Sequence, residues 1–365
     1  DLSPLLGAAR IMDKLKAVVL GATGMVGQRF VKLLSSHEFF ELAVVAASPS
    51  SAGRRYAEAA HWYIEGSMPE AAAGMTVVEA SVEAVKKAGR VDVAFSALPA
   101  EAALKVEAEF AKAGIPVVSD ASSYRMEPDV PILVGEVNPD HLGLVKRQAK
   151  RGWGGFIVTN PNCTTTVLVM ALKPLQDAFG IRRVFVSTMQ AVSGAGWGGV
   201  PSMAIIDNVI PYIAKEEEKV QAEALKIMGS LSEEGVRLAG FKISASCHRV
   251  NVLDGHTEAV FVELERSASV EEVAAAMREF KGRPQELELP TAPRRPVVVK
   301  EEPDRPQPRF DRMEGNGMSV VVGRIREDPA LPNGVKFVVL GHNTIRGAAG
   351  NALLNAELML REGYL

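Results

Sequence analysis

A chain of 365 residues, 47% apolar and 23% charged, has room for two domains with substantial cores and is neither disordered nor fibrous. Its formal net charge of −3 excludes bulk attraction to nucleic acid or an anionic membrane, so any cationic site must be local. Two cysteines are too few for a disulfide framework, and no apolar run of about 18 residues exists to span a bilayer, so the expected setting is the reducing cytoplasm.

Residues before Met12 carry no clear pattern and read as an extension without the basic start and apolar core of a secretory signal. Residues 17–20 form a brief apolar strand, followed by Gly21-Ala22-Thr23-Gly24-Met25-Val26-Gly27 and then the helical spacing of Phe30, Val31, Leu33 and Leu34. Strand, glycine turn and helix together are the setting in which such glycines bind a dinucleotide: Gly21 for the tight turn, Gly24 for backbone approach, Gly27 for packing. The spacing GxxGxxG is one step from the usual GxGxxG, and a glycine turn without a ligand is the competing interpretation. A second strand, residues 42–47, runs into Ser48-Pro49-Ser50-Ser51-Ala52-Gly53-Arg54-Arg55. NAD enzymes place a carboxylate near here for the ribose 2′-hydroxyl. Hydroxyls from Ser48 and Ser51 and the guanidinium of Arg54 suit a 2′-phosphate instead, which favours NADP; the plain alternative is a solvated basic loop. Residues 91–96 form another buried strand ending at Ser96. A helix over 101–112 and a strand at 117–118 then deliver Arg125, in SSYRM, to the ligand edge of the sheet. Alternating strand and helix over residues 17–155 imply a doubly wound domain.

Residues 156–158 are a short strand, Asn160-Pro161-Asn162 is turn chemistry, and a helical run begins at Thr164. Cys163 therefore stands where a strand stops and a helix starts. The field there lowers a thiol pKa from about 8.5, and the unpaired N–H groups of the helix can receive an oxyanion. A small buried hydrophobe is the alternative, against which the polar neighbours Asn162, Thr164 and Thr165 speak. The strand 184–191 carries Gln190 near its end, and the glycine-rich Ser193-Gly194-Ala195-Gly196 can approach a ligand with bare backbone. Residues 207–226 read as largely helical, with Glu216 and Lys219 at i, i+3 as a surface ion pair on first inspection. Strands at 244–250 and 255–265 bring in Arg249, His248, His256 and Glu258; either histidine is a candidate acid/base. Antiparallel strands in this half predict a mixed sheet in an α+β second domain. Residues 290–308 read as an irregular, proline-rich arm. A strand at 335–340 leads to a last helix that Asn343 or Thr344 is placed to cap, with small residues 347–350 able to pack onto the first domain.

The motifs GATGMVG, SSYRM, NPNCTT, QAVSGAGW, EEEK, HRVNVLDGHTEAV and HNTIRGAAG occur in this order between Gly21 and Gly350. Together they resemble aspartate-semialdehyde dehydrogenases, in the branch typical of archaea and fungi. The resemblance implies reversible, NADP-dependent conversion of L-aspartate 4-semialdehyde and phosphate to L-4-aspartyl phosphate through a cysteine thioester, on the route to lysine, threonine and methionine. It implies a Rossmann-like NADP-binding domain over 13–155, an α+β catalytic and dimerisation domain over 156–340, and a segment 341–365 returning to the first domain. Carried over by position, Cys163 is the nucleophile, His256 the acid/base and Gln190 the residue that orients substrate. Arg249 grips the α-carboxylate, Glu216 sits by the amino group, and Arg125, Lys219 and Asn162 hold phosphate; Glu216 and Lys219 thereby become substrate contacts rather than a surface pair. The cofactor set is Gly21, Thr23, Gly24, Met25, Val26, Gly27, Ser48, Ser51, Arg54, Ser96, Ser193, Gly194 and Asn343. A homodimer or homotetramer is implied, with no metal, nucleic acid or membrane partner. The rival readings are a malonyl-CoA reductase with the same cysteine chemistry and a non-catalytic NADP-binding protein.

Overall fold

In the first half, short apolar runs bounded by glycine and proline become strands buried on both faces, the condition for a parallel sheet. The computed structural model describes residues 13–365, so the extension discussed above lies outside the described residues. Strands β1 (Leu15–Leu20), β2 (Phe40–Ala47), β3 (Val78–Glu79), β4 (Val93–Ser96), β5 (Val117–Ser119) and β6 (Ile157–Thr159) form one parallel sheet in the order β3-β2-β1-β4-β5-β6. Helices α1 (Met25–Leu34), α2 (Val82–Ala88) and α3 (Ala100–Lys112) accompany it. The order reverses between β1 and β4, and ligands bind beyond the carboxyl ends of strands at such a reversal. The expected doubly wound architecture is therefore present.

α4 (Cys163–Phe179) follows β6 after a three-residue turn and leads into the second sheet. That sheet contains β7 (Ile181–Gln190), β10 (Lys242–Arg249), β11 (His256–Leu264), β12 (Val297–Val299), β13 (Val320–Asp328) and β14 (Gly334–Gly341). Its order is β10-β7-β11-β14-β13-β12, with parallel outer pairs and antiparallel central ones, the mixed sheet expected. A small hairpin, β8 (Ser230–Ser232) with β9 (Gly235–Arg237), stands apart. Alternation in β7 decides which face is covered: Val184, Val186, Thr188 and Gln190 are buried, whereas Phe185 on the other face remains exposed. The covered face holds α4, with α5 (Glu216–Ile227) and α6 (Val270–Glu279) beside it.

Three local expectations change. Helix α5 starts only at Glu216, because Pro211 cannot continue a ladder and Lys215 has φ 60°. Residues 207–215 instead form an extended approach in which Ile210 pairs with Arg249. The proline-rich arm contains β12. Neither Asn343 nor Thr344 caps the last helix: an irregular turn, Ile345–Ala349, intervenes before α7 (Gly350–Arg361). That turn passes directly behind Cys163, and α7 then packs with α1 against the first sheet.

Candidate active site

The turn between β6 and α4 builds the centre of the site. Asn162 is the N-cap of α4: its Oδ1 accepts from the N–H groups of Thr164 at 3.0 Å and Thr165 at 3.2 Å. Those two donors were candidates to hold an oxyanion, and the cap occupies them. Cys163, as the first helical residue, keeps its own N–H beside the sulfur. The sulfur lies 3.1 Å from His256 Nε2, and His256 Nδ1 accepts from the Ala191 N–H at 3.1 Å. With Nδ1 occupied as an acceptor, the neutral ring carries its proton on Nε2 and directs it at the sulfur.

The electrostatics correct the expected thiol. Loss of water pushes Cys163 up to about 12, with Glu216 and Asp120 adding to the rise and Arg249 and Arg125 opposing it. Helix position favours the thiolate, and here loss of water around the sulfur outweighs it. Burial, with Arg249 and His342 nearby, takes His256 down to about 3, so the imidazole is neutral at ordinary pH.

Around this pair the second sheet supplies a row of polar side chains. Gln190 at the end of β7 accepts from Thr188 Oγ1 at 2.9 Å and donates from Nε2 to Glu216 Oε1 at 2.8 Å. Glu216 Oε1 also receives Asn162 Nδ2 at 2.9 Å and Thr164 Oγ1 at 3.3 Å, which leaves Oε2 for an incoming donor. Arg249, cross-strand from Gln190, is anchored by Nη1 on the Ala191 carbonyl at 2.7 Å. Gly194 fits this crowding because a Cβ there would stand 2.8 Å from Arg249 Nη1 and 3.1 Å from His256 Cε1. One row deeper, Glu258 is fully buried opposite Thr188, and burial, with the nearby Glu216, pushes its carboxyl well up from the ordinary value. His248 bonds the Thr188 carbonyl outside this row.

A cavity of about 360 Å³ gathers Cys163, Gln190, Arg249, Glu216, Lys219, Arg125 and Asn162 with Val26, Ser193, Gly194 and Asn343. A larger cavity of about 510 Å³ adjoins it through Ser193, lined by Met25, His342 and the stacked rings of Tyr63 and Trp197, but neither Cys163 nor His256 lines it. Asn343 donates to Ser193 Oγ at 2.8 Å and accepts from the Gly255 N–H at 2.8 Å, so its side chain ties two loops together instead of capping a helix. Gly21, Thr23 and Gly24 form the turn into α1, whose N-terminus carries no side-chain cap, and Gly27 lies in its first turn. A Cβ on Gly27 would lie 2.0 Å from the Gly21 carbonyl oxygen, which accounts for the third glycine. Ser48, Ser51 and Arg54 lie beyond β2, and Arg54 bonds the Glu58 carbonyl. Ser96 is wholly buried at the end of β4 and lines neither cavity.

Sequence reasoning missed one member of the neighbourhood. Glu223 of α5 is buried; its Oε1 accepts from Arg125 Nη1 at 3.0 Å and its Oε2 from the Asn162 N–H at 2.6 Å. Its spacing from Glu216, two helical turns along α5, is the only signal the sequence offered.

Comparison with known proteins adds the rest. Residues 16–145 match the model of the semialdehyde dehydrogenase NAD binding domain, and residues 172–346 that of the semialdehyde dehydrogenase dimerisation domain. The aspartate-semialdehyde dehydrogenase of Methanothermobacter thermautotrophicus is 57% identical over 93% of this chain and 97% of its own length. A crystal structure of aspartate semialdehyde dehydrogenase with NADP from Candida albicans superimposes with a TM-score of 0.88 at 42% identity, covering 96% of this chain and all of that one. A malonyl CoA reductase (NADP) from Metallosphaera sedula is 39% identical over 96% of the chain and 98% of its own length.

Proposed function

The chain belongs to the aspartate-semialdehyde dehydrogenase family, and from that premise we propose the roles through which its residues perform the family reaction. The activity is reversible, NADP-dependent phosphorylating oxidation of L-aspartate 4-semialdehyde to L-4-aspartyl phosphate. The observation that carries the assignment of roles is the Cys163–His256 contact at the edge of a cavity that Cys163 lines together with two arginines, a lysine and a glutamate.

The residues present suit a dinucleotide. The first turn of α1 is uncapped, so its backbone N–H groups face the end of the sheet with no side chain to satisfy them, and Val26 reaches the Cys163 cavity. When bound, NADP supplies the hydride acceptor for oxidation and the donor for reduction. Ser48, Ser51 and Arg54 are the candidates for its 2′-phosphate, and Ser193, Gly194 and Asn343 for its nicotinamide end.

In the reductive direction the Cys163 sulfur attacks the acyl phosphate carbonyl, the carbon–oxygen bond to phosphate breaks, and the thiol proton departs with the phosphate. Arg125 and Lys219, which line the same cavity, receive that anion as a planar guanidinium and a point charge. The thioester carbonyl then takes up hydride, and the oxyanion so formed meets the His256 Nε2–H and the Cys163 N–H. Collapse of this thiohemiacetal releases aldehyde and returns the thiolate, which the same Nε2–H stabilises. Arg249 holds the substrate α-carboxylate by a charge-assisted fork, while Glu216 Oε2 accepts its ammonium group. Covalent capture fixes the carbonyl during hydride transfer, an advantage of proximity over a freely bound acyl phosphate.

The test is NADPH formation from aspartate semialdehyde with and without phosphate, beside NADPH oxidation by malonyl-CoA. Strict phosphate dependence and no thioester reduction are expected; the reverse pattern would assign the chain to the reductases. The dimerisation-domain match supports a homo-oligomer, and the uncovered face of the second sheet around Phe185 favours a dimer, or a tetramer built from it, which sedimentation distinguishes. Among the described residues no helix is long and apolar enough to cross a membrane. With two unpaired cysteines, this agrees with the cytoplasmic reading, which cell fractionation tests.

A further inference from the structure

We infer that Glu223 is a positioning residue that fixes the phosphate-binding arginine in register with the nucleophile. The inference rests on the reading of Arg125 as a phosphate group and extends it to a residue with no assigned role. Helix α5 places Glu216, Lys219, Glu223 and Lys226 along one side, and each reaches the site or its supporting loop. Glu223 is 2% exposed and lines neither cavity described above, so it does not itself meet substrate.

Its carboxylate joins two loops that come from different strands of the first sheet. Oε1 holds Arg125 Nη1, from the segment after β5, at 3.0 Å. Oε2 holds the backbone N–H of Asn162, from the turn after β6, at 2.6 Å. Asn162 is both the cap of α4 and the residue preceding Cys163, so a single carboxylate sets the guanidinium and the thiol relative to each other. The second anchor of Arg125 is Nη2 on the Asp120 carbonyl at 2.7 Å, and the two acceptors together fix the guanidinium plane. One turn farther along α5, Lys226 Nζ donates to the carbonyls of Arg125, Glu127 and Val130 at 2.6, 2.8 and 2.8 Å, holding the backbone of the same segment.

Two effects of Glu223 on a bound anion oppose each other. Its negative charge partly offsets that of Arg125 and weakens attraction, whereas its hydrogen bond removes the need to order a long side chain on binding. Lys219 also lines the cavity and contributes charge without any carboxylate partner among the described residues. Orientation of Arg125 is therefore the scarcer contribution, and preorganisation outweighs the lost attraction.

The substitution E223Q separates the possibilities. Its carbonyl oxygen retains the bond to the Asn162 N–H, while its amide turns a donor toward the donors of Arg125. The probes are steady-state NADPH formation from aspartate semialdehyde with phosphate as acceptor and the single-turnover NADPH burst without phosphate. In the burst the Cys163 hemithioacetal gives up hydride and becomes the thioester, with one NADPH formed per site and no use of the phosphate site. E223Q is expected to raise KM for phosphate about tenfold or more while the burst rate stays within about threefold of the parent. An unchanged or lowered phosphate KM overturns the inference, and so does a parallel loss of both rates, which makes Glu223 merely structural. R125Q is measured beside it: a raised phosphate KM in R125Q with none in E223Q removes only the role of Glu223. An unchanged KM in R125Q removes the phosphate reading itself, and the inference falls with it.

Discussion

Two helices begin at the carboxyl edge of the same sheet, each after a parallel strand and a tight turn, and they are finished in opposite ways. α1 starts from Gly24 with no side-chain cap, and its first-turn N–H groups are left for a ligand. α4 starts from Asn162, whose Oδ1 takes two of the equivalent N–H groups, and the position beside them is given to a thiol. The same dipole thus serves binding where the cap is missing and serves nucleophile placement where the cap is present. What distinguishes the two is one side chain at the N-cap, together with how much water each mouth retains.

Removing the sulfur should separate the two mouths most completely. C163A is expected to lose turnover by about 10⁴-fold or more, with NADP affinity measured by calorimetry changed by less than about twofold. Substantial turnover by this variant would take the nucleophile away from α4. The next largest effect is on pH. With the thiol at about 12, the thiolate fraction in the free protein grows about tenfold per pH unit throughout the neutral range. Alkylation of Cys163 by iodoacetamide, followed by mass spectrometry, should therefore keep rising through about pH 9, and a plateau near neutrality would mean that the helix terminus outweighs burial after all. At the other mouth, G27A forces a Cβ to within 2.0 Å of the Gly21 carbonyl oxygen. NADP affinity should fall about tenfold or more while the phosphate-free NADPH burst at saturating cofactor persists. The smallest change is expected for N162A, which opens α4 as α1 is open. Loss of the cap should cost about 1 kcal/mol in denaturant unfolding, and the freed N–H groups should shift the alkylation profile toward lower pH. A profile that does not move would argue that the cap has no bearing on the thiol.

Much of this contrast was legible in the residues themselves. Strand–glycine–helix and strand–Pro–Asn–Cys–helix are local patterns, and the parallel sheet follows from short apolar runs separated by helices. The errors arose where a distant partner decided. Helix α5 is shorter than the sequence reading has it: residues 207–215 hold Pro211 and the β-branched Val209, Ile210 and Ile213, Ile210 pairs with Arg249, and Lys215 adopts a left-handed turn. Asn343 has the chemistry of a cap, but Ser193 and Gly255 claim its amide from across the cleft. The thiol was expected to be acidic from its helix position alone. Only the folded chain reveals the partial burial of the sulfur, and the carboxyls of Glu216 and Asp120, that push the thiol the other way. Glu216 and Lys219 looked like a surface pair from spacing, whereas Glu216 is buried under three donors. Glu223 gave no cue beyond its spacing from Glu216, because its partner Arg125 lies far away in the chain.

The irregular turn at Ile345–Ala349 sets an order of events in the making of the molecule. A Cβ on Gly347 would approach the Cys163 Cβ to 2.8 Å, so this late segment forms the back wall of the nucleophile's pocket. Thiol, imidazole, arginines and glutamates are all translated before that wall exists. A chain cut short after β14 would keep every one of these groups and lose the wall behind the sulfur.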